Sequence, residues 1–364
     1  MNEDFLIGTY TSKTSKGMYA VTLNHDHQQL ENVRLVAASQ KPAYLQQVGD
    51  RVFAIKQDGD LGGVASYQLK DGQAELIDQK LGAGAPPAYV GYDQDRKLLY
   101  SANYHKGTVT VFKVASDGTL TQTDEVTHQG ECGPKPEQDA PHAHYADLTP
   151  DKRLAVCDLG MDLVVVYDVS DDGKLTQASR YQSEAGFGTR HLVFHPNGQV
   201  AYVLGELSSK LEVLKYDAET GSFSHVQTVA TIPADWTAHN GAAAIHISSD
   251  GKFVYSSNRG ENTLAVFAVN DDLTLSHIQS ITPAGDFPRD FELSQDETFL
   301  VASNQNGDNL TLYARDTTTG QLTLLQQDVA CPEPVCVKHK LRNVNTPLVS
   351  PQWKSPQGAA NSQG

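Results

Sequence analysis

The residues of this chain best suited to chemistry come in short basic couples. His142 and His144 follow Pro141, Arg190 and His191 follow Thr189, Arg259 follows Asn258, and Arg289 follows Pro288. Glu206 stands in Gly205-Glu206-Leu207. Guanidinium groups hold anions through charge-assisted hydrogen bonds. A histidine or a glutamate can carry a proton to or from a reacting group. The chain has only 28 Lys plus Arg against 44 Asp plus Glu, a formal net charge of −16. Such a surface repels nucleic acid and anionic lipid, so neither is expected as a partner. If the substrate is a small anion, these few cations must be gathered at one place. An arginine kept only for structure needs an acidic partner, and Glu206 offers one to only some of the three. An anion-binding role for at least two of them is therefore expected. The sequence has no Gly-x-Ser-x-Gly elbow, which argues against a serine nucleophile. The four cysteines, Cys132, Cys157, Cys331 and Cys336, lack zinc-knuckle or redox spacing and read as reduced thiols. No metal and no cofactor are expected.

The elements that must position these residues repeat along the chain. One phrase recurs: an apolar strand, a turn, an apolar strand ending in a small residue and Asn or Asp, a polar turn, a strand ending in Tyr or Phe, then Asp-Gly-x-Leu. The clearest copy runs from Pro87 through Leu98-Leu99-Tyr100-Ser101-Ala102-Asn103 and Val109-Thr110-Val111-Phe112 to Asp117-Gly118-Thr119-Leu120. Its starting landmarks, Pro42, Pro87, Pro141, Thr189, Ala243, Pro288 and Pro334, are 45, 54, 48, 54, 45 and 46 residues apart. Strands rich in Val, Tyr and Thr at this period, with few amphipathic helical stretches, describe propeller blades. The Gly-His and Trp-Asp pair of WD40 blades is missing. Pro334-Val335-Cys336-Val337 supplies one strand only. Residues 5–8, 17–21 and 30–36 supply three more. The reading is therefore an all-β, seven-bladed β-propeller, four antiparallel strands per blade, with the N- and C-terminal strands sharing one blade. It spans residues 1–340, and residues 341–364, rich in Pro, Gln, Ser, Gly and Asn, read as a disordered tail.

Antiparallel connectivity places the start of a blade's first strand and the end of its second at the same mouth of the central channel. His142, His144, Arg190, His191 and Arg289 stand at first-strand starts. Asn103, Asp158, Glu206, Asn258 with Arg259, and Asn304 stand at second-strand ends. All should converge on one funnel. Asn103, Asp158 and Asn304 read as turn caps, and His195 and His246, deeper in their strands, as packing residues.

These segments carry a resemblance. Gly188-Thr189-Arg190-His191-Leu192-Val193-Phe194-His195-Pro196-Asn197 is similar to the Gly-Pro-Arg-His-hydrophobic-x-Phe-His-Pro segment of the β-propeller 6-phosphogluconolactonases. Gly205-Glu206-Leu207, Pro141-His142-Ala143-His144, Phe287-Pro288-Arg289-Asp290-Phe291 and Ile7-Gly8-Thr9-Tyr10-Thr11 also resemble that family, over about residues 5 to 340. The chain departs from it at Thr189, where proline is common, and Gly205, where asparagine is common. The 132–139 loop is an insertion that could reshape the mouth.

The resemblance implies a cytoplasmic, metal-independent lactonase that opens 6-phosphogluconolactone in the oxidative pentose phosphate route. Glu206 or His144 would activate water, and arginine or histidine N–H groups, Arg190 among them, would stabilise the oxyanion. Arg259 and Arg289, with His142, His191 and Asn258, would bind the substrate. The same family holds carboxymuconate cyclases, so a muconate-type dicarboxylate is a second substrate class. A calcium-dependent sugar lactonase would need six blades and an acidic mouth, and a non-catalytic scaffold would need no such cluster of His, Arg and Glu. The start Met1-Asn2-Glu3-Asp4 and the lack of a long apolar run speak against a signal peptide or a membrane span. A monomer or homodimer is expected.

Overall fold

The computed structural model describes residues 2–339. Twenty-eight strands, β1 to β28 in chain order, form seven four-stranded antiparallel sheets, and the described residues contain no helix. Each sheet is a blade whose strands follow one another in sequence, with one exception. The closing blade has the order β28-β1-β2-β3, joining β28 (Pro334–His339) to β1 (Asn2–Thr9), β2 (Gly17–Asn24) and β3 (Gln29–Ala38). Register there pairs Leu6 with Lys338, Ile7 with Val337 and Gly8 with Cys336. Gly8 belongs in this seam because a Cβ would come within 2.5 Å of the Pro42 carbonyl oxygen. The closure removes the open sheet edge that an unclosed ring would expose. The tail expected from residue 341 lies outside the described residues.

Inner strands pack against neighbouring blades on both faces and are therefore continuously apolar, whereas outer strands alternate. Leu98–Asn103 (β9) is buried throughout, while Leu175–Gln182 (β15) has no fully buried residue. Tyr202 and Tyr255 occupy equivalent buried positions in two such inner strands. Their hydroxyls donate to the Leu273 carbonyl (3.1 Å) and the Gly320 carbonyl (2.9 Å), each in a turn of the next blade. Buried phenols thus tie blade to blade without leaving a polar group unsatisfied.

Asn103 caps its turn as expected, its Oδ1 accepting from the His105 and Lys106 amides at 3.0 and 3.1 Å. Asp158 accepts from the His142 and Met161 amides (2.8 and 3.0 Å) and also pairs with His128 at 2.7 Å. Asn304 differs from expectation. Its Nδ2 donates to the Pro283 carbonyl and to Thr311 Oγ1, so it fixes the preceding loop rather than its own turn.

Candidate active site

At one mouth the blades surround a cavity of about 420 Å³. His144 is the second residue of β12 (Ala143–Leu148), Arg190 the second of β16 (Thr189–Phe194), and Arg289 the second of β24 (Pro288–Leu293). All three sit where the register with the next strand slips: between Ala143 and Tyr145, Thr189 and His191, and Pro288 and Asp290. A bulged residue leaves the ladder and its side chain is re-aimed. The same irregularity in three blades thus turns one imidazole and two guanidiniums into the channel. In the blade between, the slip falls at Ala243 and Ala244, and the freed Ala243 carbonyl accepts from Arg190 Nη1.

Glu206 follows β17 (Val200–Gly205), and Arg259 ends β21 (Phe253–Arg259). Arg190 Nε donates to Glu206 Oε2 at 2.7 Å, and Arg259 Nη2 lies 2.7 Å from Glu206 Oε1. Arg259 is further fixed by its Nε–H to the Gly241 carbonyl (2.9 Å) and by the Phe287 ring, 5.3 Å away. Burial alone would raise the Glu206 carboxyl, but Arg259 and Arg190 outweigh it and hold the group well below the usual carboxylate range. Burial, with Glu206 opposing it and Arg259 and Arg289 adding repulsion, pulls Arg190 down to about 9, still charged at neutral pH.

His144 is buried, and its Nδ1 has no hydrogen-bond partner in the protein. Burial first, then the positive charge of Arg190, holds this imidazole well below its usual range. The ring is therefore neutral. His191 lies beneath it, ring centroids 5.1 Å apart, among Tyr44, Tyr89 and Tyr145. Burial, then Arg190, keeps His191 neutral as well.

Arg289 differs from the other two arginines. It is only half-buried, lies 5.2 Å from the Tyr10 ring centroid and touches Gln305 at 3.4 Å, with no carboxylate partner among the described residues. Lys41, also on the cavity wall and half-buried, has no ion pair there either. Sequence reading missed Lys41, although it directly precedes the Pro42 landmark. Tyr104 was missed too. It lines the cavity, with its hydroxyl pushed up to about 12 by burial and by the nearby Glu206 charge.

The structure thus brings Glu206, His144, Arg190, His191, Arg259 and Arg289 to one cavity. It does not bring Asn258 or His142 to its lining. Asn258 points away from the channel, because adjacent strand residues face opposite sides, and bonds Thr231 and Thr263. His142 is spent on Tyr104 and Asp139. No group of His, Cys, Asp and Glu able to hold a metal occurs among the described residues, and none of them forms a helix long and apolar enough to cross a membrane.

Residues 4–339 match the family model described as lactonase, 7-bladed beta-propeller. A 6-phosphogluconolactonase of Bacillus subtilis is 39% identical over 339 residues, covering 91% of this chain and 97% of that protein. The crystal structure of a protein from Lactobacillus plantarum is 56% identical with a TM-score of 0.92, over 93% of this chain and 99% of that one. A periplasmic gluconolactonase of Pseudomonas aeruginosa is 30% identical with a TM-score of 0.87, over 94% and 99%.

Proposed function

Since this chain belongs to the seven-bladed β-propeller lactonase family, we propose that it hydrolyses 6-phosphogluconolactone, with His144 as the base. The observation that carries the proposal is the division of charge in the cavity. Two guanidiniums are bridged and locked by the single Glu206 carboxylate, which leaves the trio a net positive charge, beside an unpaired neutral imidazole, while Arg289 and Lys41 stand unpaired by any carboxylate. A lactone carrying a phosphate needs both kinds of cation. One must stand where charge develops on the carbonyl oxygen. The other must hold a permanent dianion.

In this mechanism the neutral His144 imidazole accepts a proton from water, whose oxygen attacks the lactone carbonyl. Negative charge gathers on the carbonyl oxygen next to Arg190 and Arg259, already oriented and so needing no reorganisation. The acyl–oxygen bond then breaks, and His144 returns its proton to the departing ring oxygen, giving the open hydroxy acid. Glu206 holds the two arginines rather than accepting the proton. Both of its oxygens are engaged, and a carboxylate held so far below neutrality is a weak base. The phosphate binds Arg289 and Lys41. A phosphorylated substrate fits a cytoplasmic enzyme of the oxidative pentose phosphate route.

The Pseudomonas relative supports a second reading, in which the substrate is gluconolactone without phosphate. The test is a comparison of kcat/KM for 6-phosphogluconolactone, gluconolactone and a muconolactone on purified protein. A preference of about 10-fold or more for the phosphorylated lactone is expected, since one charge-assisted contact is worth about 1.5–3 kcal/mol. Equal values for the first two would support the second reading, and activity on the third alone would overturn both.

A further inference from the structure

Tyr104 follows β9 and forms part of the cavity wall, yet its own hydroxyl makes only a long contact, 3.4 Å, to the Glu137 carbonyl. The ring is held in other ways. His142 stacks flat on it, with centroids 4.1 Å apart and planes 6° from parallel. His105 and His144 meet it edge-on at 5.2 and 5.9 Å. His142 also grips the backbone, its Nδ1 lying 2.6 Å from the Tyr104 carbonyl oxygen, while its Nε2 lies 2.9 Å from Asp139 Oδ1.

A carbonyl oxygen and a carboxylate oxygen can only accept hydrogen bonds. Both bonds of His142 therefore exist together only when both ring nitrogens carry protons. The Asp139 carboxyl is correspondingly held below its usual range by its bond to His142. Asp139 belongs to the 132–139 loop, which is pinned by buried Gln138, whose Nε2 donates to the Leu159 carbonyl (2.9 Å) and to Asp162 Oδ1 (2.6 Å). The inserted loop thus brings one carboxylate to the back of one cavity-wall residue. Other charged or titratable groups around the clamp are His105, Asp158 at the His142 amide, and Glu137, Glu206 and Arg190 near Tyr104.

We propose that His142 is a positioning residue which, with Asp139, clamps Tyr104 as the wall that seats the substrate ring, and that the clamp closes when the imidazole is doubly protonated. This rests on the reading of the cavity as the lactone site. When the ring surrenders one proton, a bare nitrogen lone pair faces either the Asp139 carboxylate or the Tyr104 carbonyl, and one arm of the clamp opens. The loop then lets go of Tyr104, and substrate binding weakens.

The experiment measures kcat and KM on 6-phosphogluconolactone at about pH 6 and about pH 8. Wild type is compared with Asp139→Asn, His142→Gln, Tyr104→Ala and the double variant His142→Gln/Tyr104→Ala. In wild type KM rises with pH. In Asp139→Asn the rise is lost, because an amide can offer oxygen to a protonated nitrogen or N–H to a bare one. Asp139 is 78% exposed, so this substitution spares the core. His142→Gln raises KM by about threefold to tenfold at both pH values, with kcat changed less. Tyr104→Ala does much the same, and the double variant adds little beyond Tyr104→Ala, because His142 acts through that ring. A pH-dependent KM that persists in Asp139→Asn, or full additivity of the other two, overturns the clamp while leaving the lactonase reading intact. If wild type opens no lactone, that reading falls, and the clamp is read from imidazole ¹⁵N signals instead. His142 then loses its second proton at lower pH in Asp139→Asn than in wild type, and identical titrations overturn it.

Discussion

Replacing Glu206 by Gln removes the carboxylate from between two buried guanidiniums while keeping its shape. The amide oxygen can still accept from one arginine, but its N–H₂ then faces the donors of the other. Removing one partner of a buried ion pair costs about 3–5 kcal/mol, because the remaining charge is left buried and uncompensated. With an unfolding entropy of about 2.1 cal/mol/K per residue, a propeller of this length gains about 0.7 kcal/mol/K on unfolding, so Tm falls by about 4–7 °C. The pH dependence has a definite sign. The Glu206 carboxyl is depressed in the folded protein, so its stabilisation is fully present above the unfolded value near ~4.3. It is lost as pH falls from there through the lower folded value. The gap in stability between wild type and Glu206→Gln is therefore wide at pH ~7 and narrows in acid. Thermal unfolding of both proteins over that range, alongside kcat and KM, checks the argument. A positioning role predicts that KM rises as kcat falls, since the arginines themselves shift. An unchanged Tm with a kcat about 10³-fold lower and an unchanged KM would refute it and make Glu206 the general base.

Replacing His144 by Asn should lower kcat by about 10²- to 10⁴-fold with little change in KM, as for a lost base. In wild type, kcat should stay flat down through pH ~6.5 and fall only in more acid solution, because burial and Arg190 keep the ring neutral; a kcat that halves near pH ~6.5 would contradict this. Arg289→Ala should raise KM for 6-phosphogluconolactone by about 10- to 100-fold and leave gluconolactone nearly unaffected; equal effects on both would remove Arg289 from the phosphate. Deleting Pro334–His339 should abolish cooperative unfolding, since it strips β1 of its partner and reopens the ring; a retained melting transition near the wild-type Tm would mean that closure adds little.

The fold was legible because a propeller writes its period into the chain. Landmarks near every 45 to 54 residues, with one orphan strand at the C-terminus and three at the N-terminus, leave the shared blade as the only way to count. The location of the mouth was legible for the same reason: it follows from antiparallel connectivity. What local sequence does not contain is the aim of each side chain. That depends on where the register slips between paired strands, and the bulges at His144, Arg190 and Arg289 are properties of the pairing. Bulging also explains why Arg190 and its neighbour His191 both reach the cavity. In the regular ladder at Asn258 and Arg259 only the second residue does. Simple alternation would have separated Asn258 from Arg259 beforehand.

Tyr104 teaches the more general point. Aligned on the buried second-strand position held by Tyr100, Tyr202, Tyr255 and Val301, the residue four further on is Tyr104, Glu206, Arg259 or Gln305 in four of the blades. Three of these line the cavity, and the fourth contacts Arg289. Reading for charge selected Glu206 and Arg259 and passed over the tyrosine and the glutamine at the same place. Lys41 was passed over for a related reason: it lies four residues ahead of its blade's first strand, beside the weakest of the landmarks. In a ring of repeats the geometry is set by position within the blade, so an uncharged residue at a site-forming position is as strong a candidate as a charged one. On that rule Gln305 belongs with Arg289, where its side-chain oxygen accepts from the guanidinium without neutralising it. The cation keeps its full charge and gains a fixed direction, which is what holding a phosphate would require.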